Sequence, residues 1–246
     1  MGIDRAERTA GAPPLRRDDP TPAPPKPDFP SDVEPDLPGG VLRELRRHSQ
    51  DPDEVARALT LAVAAVDAGA PDRARPYLEW AKAAAPRAPS VRETLGVALY
   101  HAEDWSGALS ELQTYRRLSG RSDQNHLIGD CLRGLGRSVG RVAEVVQELD
   151  PDRDGEDRYA EGMIVWASAV ADHGDPGAGR AVIRRALDRL GQPTDPQEHH
   201  LRLWYVAADL AERDGDRDDA ERWLRRVAAE DDDLYDVRQR LARLAG

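Results

Sequence analysis

Residues 55–88 read VARALTLAVAAVDAGAPDRARPYLEWAKAAAPRA, and residues 89–122 read PSVRETLGVALYHAEDWSGALSELQTYRRLSGRS. Laid one over the other at a shift of 34, they place Leu61 on Leu95, Ala62 on Gly96, Ala65 on Leu99, Ala74 on Ala108, Leu78 on Leu112 and Ala81 on Tyr115. Pro86 falls on Gly120, where each unit closes. A fixed period of this length marks an array of supersecondary units. Within each unit the apolar positions return every three or four residues on either side of a turn, which predicts a pair of helices. A small residue on each helix, Ala62 with Ala74 and Gly96 with Ala108, is expected to let the two backbones touch. The leucines around them fill the space against the next pair.

The pattern runs on with changes. In a third unit Ile128, Gly129 and Leu132 come one residue early, Gly136 makes the turn, and Val142, Val146 and Leu149 return to the shift of 34. Val142 in the small position and the early Pro151 predict looser packing there. The fourth unit runs from Trp166, Ala167 and Val170 through Gly174 to Gly179, Ile183 and Ala186. Gly177 and Gly179 inside its second helix are each expected to cost about 1 kcal/mol relative to Ala. The fifth runs from Trp204, Ala207, Ala208 and Ala211 through Gly215 to Ala220, Leu224 and Val227. Leu234, Val237, Leu241 and Leu244 then form one stripe, with Arg238, Arg240 and Arg243 expected outside it, as in a solvent-facing capping helix. VLRELRRH (41–48) is the candidate cap at the other end. Asp51-Pro52, Asp195-Pro196 and the Ser90 to Glu93 capping box are the expected helix starts.

This layout resembles the tetratricopeptide repeat, with Leu-Gly-x-x-Tyr on a first helix, Ala-x-x-x-Phe on a second and a closing Pro. Trp105 and Trp204 stand where that family carries aromatics. It also resembles actinobacterial proteins of the family that have a disordered N-terminal tail, a resemblance that carries no activity. The fold implied is all-α, a right-handed α-solenoid of about five helix pairs over residues 39–246. The pairs are expected near 52–86, 89–120, 122–150, 158–191 and 196–230, with the capping helix at 233–245.

Residues 1–38 hold ten of the 19 prolines. Such a segment has little to bury and is expected to be a disordered, partly polyproline-II tail, Phe29 being its best short-motif candidate. Residues 149–246 carry 23 acids against 15 bases, most of the net charge of −11. A mainly acidic surface repels phosphate backbones and argues against direct nucleic-acid binding. No apolar run approaches membrane-span length, and the start MGIDRAERTAGA lacks a signal-peptide core, so a cytoplasmic protein is expected. A single cysteine, Cys131, excludes a disulfide framework and is expected to face the core.

No enzyme, metal or cofactor signature is present. There is no Walker loop, GxGxxG or GxSxG, and GDPGAGR (174–180) follows no strand. His199 and His200 are adjacent, so on a helix they point about 100° apart and are not expected to share a metal. His126 and Asp130 form a two-member cluster without a third ligand. The resemblance implies instead a groove lined by the first helices, with a partner-binding set of Val63, Glu93, Val97, Tyr100, His101, His126, Asp130, Arg133, Tyr205 and Asp209; Ile164 and Ser168 complete its middle. Leu59, Val63, Glu93 and Val97 stand where cochaperone members carry the Lys and Asn of a carboxylate clamp, so that role is not expected. The mixture of aliphatic, aromatic and acidic groups suits a peptide with apolar anchors and basic residues. The expected function is a protein-binding adaptor or scaffold, with self-assembly, or ribonucleoprotein association through a protein component, as the alternatives. Rigid blocks at 40–149 and 160–246 are expected to flank a softer middle, because DPDRDGEDR (150–158) reads as a solvated break.

Overall fold

Proline at the first helical position opens helix after helix, since its missing N–H costs a helix nothing there. The computed structural model describes residues 23–30 and 32–245, and among them thirteen α-helices and no strand. They are α1 (Gly39–His48), α2 (Pro52–Asp67), α3 (Pro71–Ala84), α4 (Pro89–His101), α5 (Trp105–Ser119), α6 (Asn125–Gly134), α7 (Val139–Val146), α8 (Pro151–Asp154), α9 (Glu156–Asp172), α10 (Pro176–Leu190), α11 (Glu198–Arg213), α12 (Arg217–Glu230) and α13 (Val237–Ala245). Five antiparallel pairs form: α2 with α3, α4 with α5, α6 with α7, α9 with α10, and α11 with α12. The first helices α2, α4, α6, α9 and α11 touch one another in that order. The second helices pack behind them, which makes the fold an all-α solenoid.

Of the expected helix starts only Asp51-Pro52 opens a helix; α11 begins at Glu198 behind Gln197, past Asp195-Pro196, and other aspartates do the capping. Asp104, Asp175 and Asp216 precede the second helices of three pairs at one register position. Their carboxylates accept from the N–H groups of Gly107, Ala178 and Asp219 at 2.9, 2.8 and 3.1 Å. Each thereby satisfies an orphan donor of a first turn. Asp51 makes no such bond. Ser90 is no cap either: it lies inside α4, and both its N–H and its Oγ donate to Glu44 Oε1 of α1, at 2.8 and 2.6 Å. A predicted capping box is therefore a clamp between α1 and the second pair.

The helix crossings also differ from expectation in detail. A Cβ on Gly96 would sit 2.6 Å from Leu112 Cγ, so this glycine makes room for Leu112 rather than for Ala108. A Cβ on Gly179 would sit 2.9 Å from the Ala167 carbonyl oxygen. Gly179 is thus required by a backbone approach, and its expected cost to α10 is offset by packing. In the third pair Gly129 compensates for Val142: a Cβ there would be 2.9 Å from Val146 and 3.8 Å from Val142. Both valines are wholly buried, so the shortened α7 is not loosely packed. Three buried apolar clusters run along the chain and meet at Leu109, Leu187 and Trp223. The stretch 150–158 is no solvated break. Asp154 is buried there and accepts from the Asp150 N–H at 3.0 Å, from Ser122 Oγ at 3.2 Å and from Arg153 at 2.8 Å.

Residues 1–22 of the expected tail lie outside the described residues. Residues 23–30 and 32–38, expected to belong to that tail, carry contacts with the first pair. Lys26 pairs with Glu54 at 2.5 Å, and the Phe29 ring stacks 5.9 Å from Tyr77 and meets the edge of Trp80 at 5.5 Å. The Asp36 N–H donates to Thr60 Oγ1 at 3.0 Å, and Leu37 packs on the N-terminal core. The only Phe in the chain supplies this strap with an anchor, and packing begins before residue 39. At the other end α13 packs on α12, and Arg240, expected on its outer face, turns inward and is 3% exposed. No helix among the described residues is long and apolar enough to cross a membrane.

Candidate functional site

The first helices lie side by side, and near their C-terminal ends polar side chains bridge one to the next. Tyr100 on α4 donates its hydroxyl to Asp130 on α6 at 2.7 Å. Arg133 on α6 donates to Asp130 at 2.9 Å and crosses to Asp172 on α9 at 3.1 Å. Arg213 on α11 donates to the other oxygen of Asp172 at 3.2 Å and lies 4.0 Å from Asp209. Arg240 of α13 lies 3.5 Å from Asp209 and 2.9 Å from Glu212, with its guanidinium 5.0 Å from the Tyr205 ring. Tyr205 in turn donates to Asp236 at 2.7 Å. The burial of Arg240 follows from this set: two carboxylates and an aromatic face replace the water it loses. Burial first, then the Asp130 carboxylate, push the Tyr100 phenol above its ordinary range, so it stays a donor. Tyr100, Asp130, Arg133, Tyr205 and Asp209, all expected to meet a partner, are thus tied into one ladder.

The seam between α2 and α4 has no such rung among the described residues. Val66 and Asp67 stand where α4 carries Tyr100 and His101. Val63, Val66, Val97, Thr94, Asp67, Glu93 and Gln124 line a depression of about 210 Å³. Val63 is 39% exposed, one of two large apolar side chains so open among the described residues. Glu93 accepts from Gln124 Nε2 at 2.7 Å and has no ion-pair partner among the described residues. Burial pushes its carboxyl above the ordinary range, against the pull of that hydrogen bond. Val63, Glu93 and Val97 are therefore brought together at this depression.

The remaining expected residues lie apart. His101 is exposed at the end of α4. His126 is turned into the seam between α6 and α9, its Nδ1 buried without a hydrogen-bond partner. Burial, then the Arg158 charge, hold its pKa down at about 4, so it is neutral at pH 7. Cys131 is fully buried, and burial pushes its thiol up to about 12, far from reactive. His199 and His200 do converge, contrary to the helical-spacing argument: their ring centroids are 4.0 Å apart at the start of α11. Glu156 joins them, with one donor atom of each within 4.8 Å of the others. His200 Nδ1 already accepts the Gln197 N–H at 3.2 Å, so the neutral ring carries its proton on Nε2 and has no lone pair left. Glu156 and His199, 3.4 Å apart, remain as two donors, short of a zinc ligand set.

Sequence reasoning missed Val66, Asp67 and Gln124 at the open seam, and Asp172, Arg213 and Arg240 in the ladder. For Val66 and Asp67 the signal was available, since they lie 34 residues before Tyr100 and His101. Arg240 carried none, because its partners come from a helix whose docking angle no spacing encodes.

Comparison with curated proteins finds no match. A family model described as tetratricopeptide repeat matches residues 59–123 and 164–234. The unmatched stretch between them holds the third pair, where the turn gains a residue and α7 shortens to 8 residues. The matched regions cover more than half of the chain, carry the paired helices and small-residue crossings described above, and place it in the tetratricopeptide repeat family.

Proposed function

We propose that this chain is a non-enzymatic, cytoplasmic adaptor or scaffold that holds a segment of another protein across its first-helix face. Repeats of this family generally mediate protein–protein interactions, and the observation that carries the reading is the unfilled α2–α4 seam on that face. There an exposed valine and an uncompensated carboxylate sit on a well-packed layer. Elsewhere the face is polar and internally paired, which suits positioning rather than affinity.

The test is a pull-down with the full chain and mass spectrometry, run beside two variants. Val63→Asp with Val97→Asp changes the open seam, and Arg117→Glu changes an exposed second-helix position. Proteins captured by the parent and by the Arg117 variant, and lost with the valine pair, support the reading. Identical capture by all three overturns it. Sedimentation of the chain alone at rising concentration separates self-assembly, and nuclease treatment of the captured material separates ribonucleoprotein association.

A further inference from the structure

We infer that the depression between α2 and α4 takes one long basic side chain, Lys or Arg, from the bound segment. The inference rests on the reading that this face binds a protein segment, and it names the chemistry of the anchor. Val63, Val66 and Val97 provide an aliphatic wall, and about 210 Å³ is space for one side chain, not for a helix. The two acids at its edge, Asp67 and Glu93, have no cation in contact among the described residues. Arg121 and Arg158 act on Glu93 only at longer range, and Asp123 acts against them. An aliphatic stem with a charged tip matches this arrangement group by group: methylenes along the valines, cation between the carboxylates.

Two further features point the same way. Asp67 is the last residue of α2, at the negative end of the helix dipole, which favours a cation there. The seams from α4 to α13 are bridged by hydrogen bonds or ion pairs from Tyr100, Arg133, Arg213 and Arg240. At the α2–α4 seam the acids are present and the bridging cation is missing. A leucine in the same place would fill the wall and leave Glu93 buried beside it with only the neutral Gln124 amide, which raises the cost of that charge. An acidic side chain would meet two like charges.

The experiment uses the full chain with labelled valine methyl groups and four capped amino acids: the N-acetyl N-methylamides of lysine, arginine, norleucine and glutamate. Lysine and arginine probes are expected to shift the Val63, Val66 and Val97 methyl signals saturably. Norleucine, which keeps the stem and lacks the charge, should bind at least about fivefold more weakly, and glutamate should leave these signals in place. Glu93→Gln, which keeps an oxygen for Gln124, should weaken lysine binding roughly tenfold, and Asp67→Asn about two- to threefold, with no fall in melting temperature. Equal binding of norleucine and lysine, no saturable shift from either cation, or an unchanged affinity in Glu93→Gln each overturns the inference. Failure here is distinguishable from failure of the adaptor reading. Proteins lost with the Val63 and Val97 substitutions but fully retained by Glu93→Gln with Asp67→Asn would keep the adaptor and remove the basic anchor.

Discussion

The second and fourth helix pairs make the same crossing with the glycine on opposite helices. In the second pair Gly96 of α4 makes the approach, and Ala108 holds the small position on α5. In the fourth, Ala167 of α9 and Gly179 of α10 hold the corresponding positions, twelve residues apart in both pairs. The obstacles differ. Gly96 leaves room for a leucine side chain, whereas Gly179 leaves room for a helix backbone oxygen. What the repeat conserves between its own copies is therefore the distance between two helices. Which chain gives up its Cβ is open, and the atom that needs the space decides how strict each site is.

The largest effect should come from Gly179→Ala, where the new methyl meets a carbonyl that cannot rotate aside. It should cost about 2–3 kcal/mol, read as a lower urea midpoint. A midpoint unchanged or raised would mean that the crossing relaxes freely and that the two pairs do not differ. His126 sits on α6 between the compared pairs and probes the seam with α9 by pH. Its folded pKa of about 4 lies below the ordinary 6.5, so the native state binds fewer protons in that interval. Stability present above pH 6.5 is lost as pH falls toward 4, by on the order of 2 kcal/mol. Glu93 and Glu161 oppose this, since burial raises both carboxyls and favours the folded state at lower pH. His126→Leu isolates the histidine: its urea midpoint should fall less between pH 7 and pH 4.5 than that of the parent. Parallel falls would remove the assignment.

Gly96→Ala should cost less than Gly179→Ala, about 1–2 kcal/mol, because Leu112 can change rotamer. A larger loss than that of Gly179→Ala would invert the comparison. The smallest effect is expected at Gly177, whose Cβ would meet nothing nearer than 3.5 Å. Gly177→Ala should leave stability unchanged or raise it by about 0.5 kcal/mol through the unfolded chain. A clear loss there would show that α10 as a whole, rather than the contact at Gly179, is sensitive.

Periodicity made the pairs legible because each depends on residues within some thirty positions of one another. Leu61, Leu78, Leu95 and Leu112 mark their helices without help from the rest of the chain. Glycine was harder to read. Gly177 and Gly179 look alike as helix breakers in sequence, and only the position of the Ala167 carbonyl separates them. The same limit hid the strap, because Phe29 gains its meaning from Tyr77 and Trp80, about fifty residues later. At the candidate site the family resemblance put Val63, Glu93 and Val97 in one groove set, and they line one depression. The pairing of Asp130 with Arg133 three residues on was legible as a surface cluster, whereas the reach of Tyr100 to Asp130 across the α4–α6 seam depends on how successive pairs are rotated.

That ladder has a mechanical side. Bending the array changes the spacing between neighbouring first helices, and the rungs from Tyr100 to Arg240 cross those seams at one edge. Each exposed rung contributes little by itself, yet together they resist opening on that edge much as ties resist the spreading of rails. Their electrostatic share is screened within about 10 Å at ordinary ionic strength and fades as salt rises. The α2–α4 seam, without a rung among the described residues, lacks this resistance. A cation seated between Asp67 and Glu93 would stiffen it, so that the first pair would move with the rest of the solenoid only while the face is occupied.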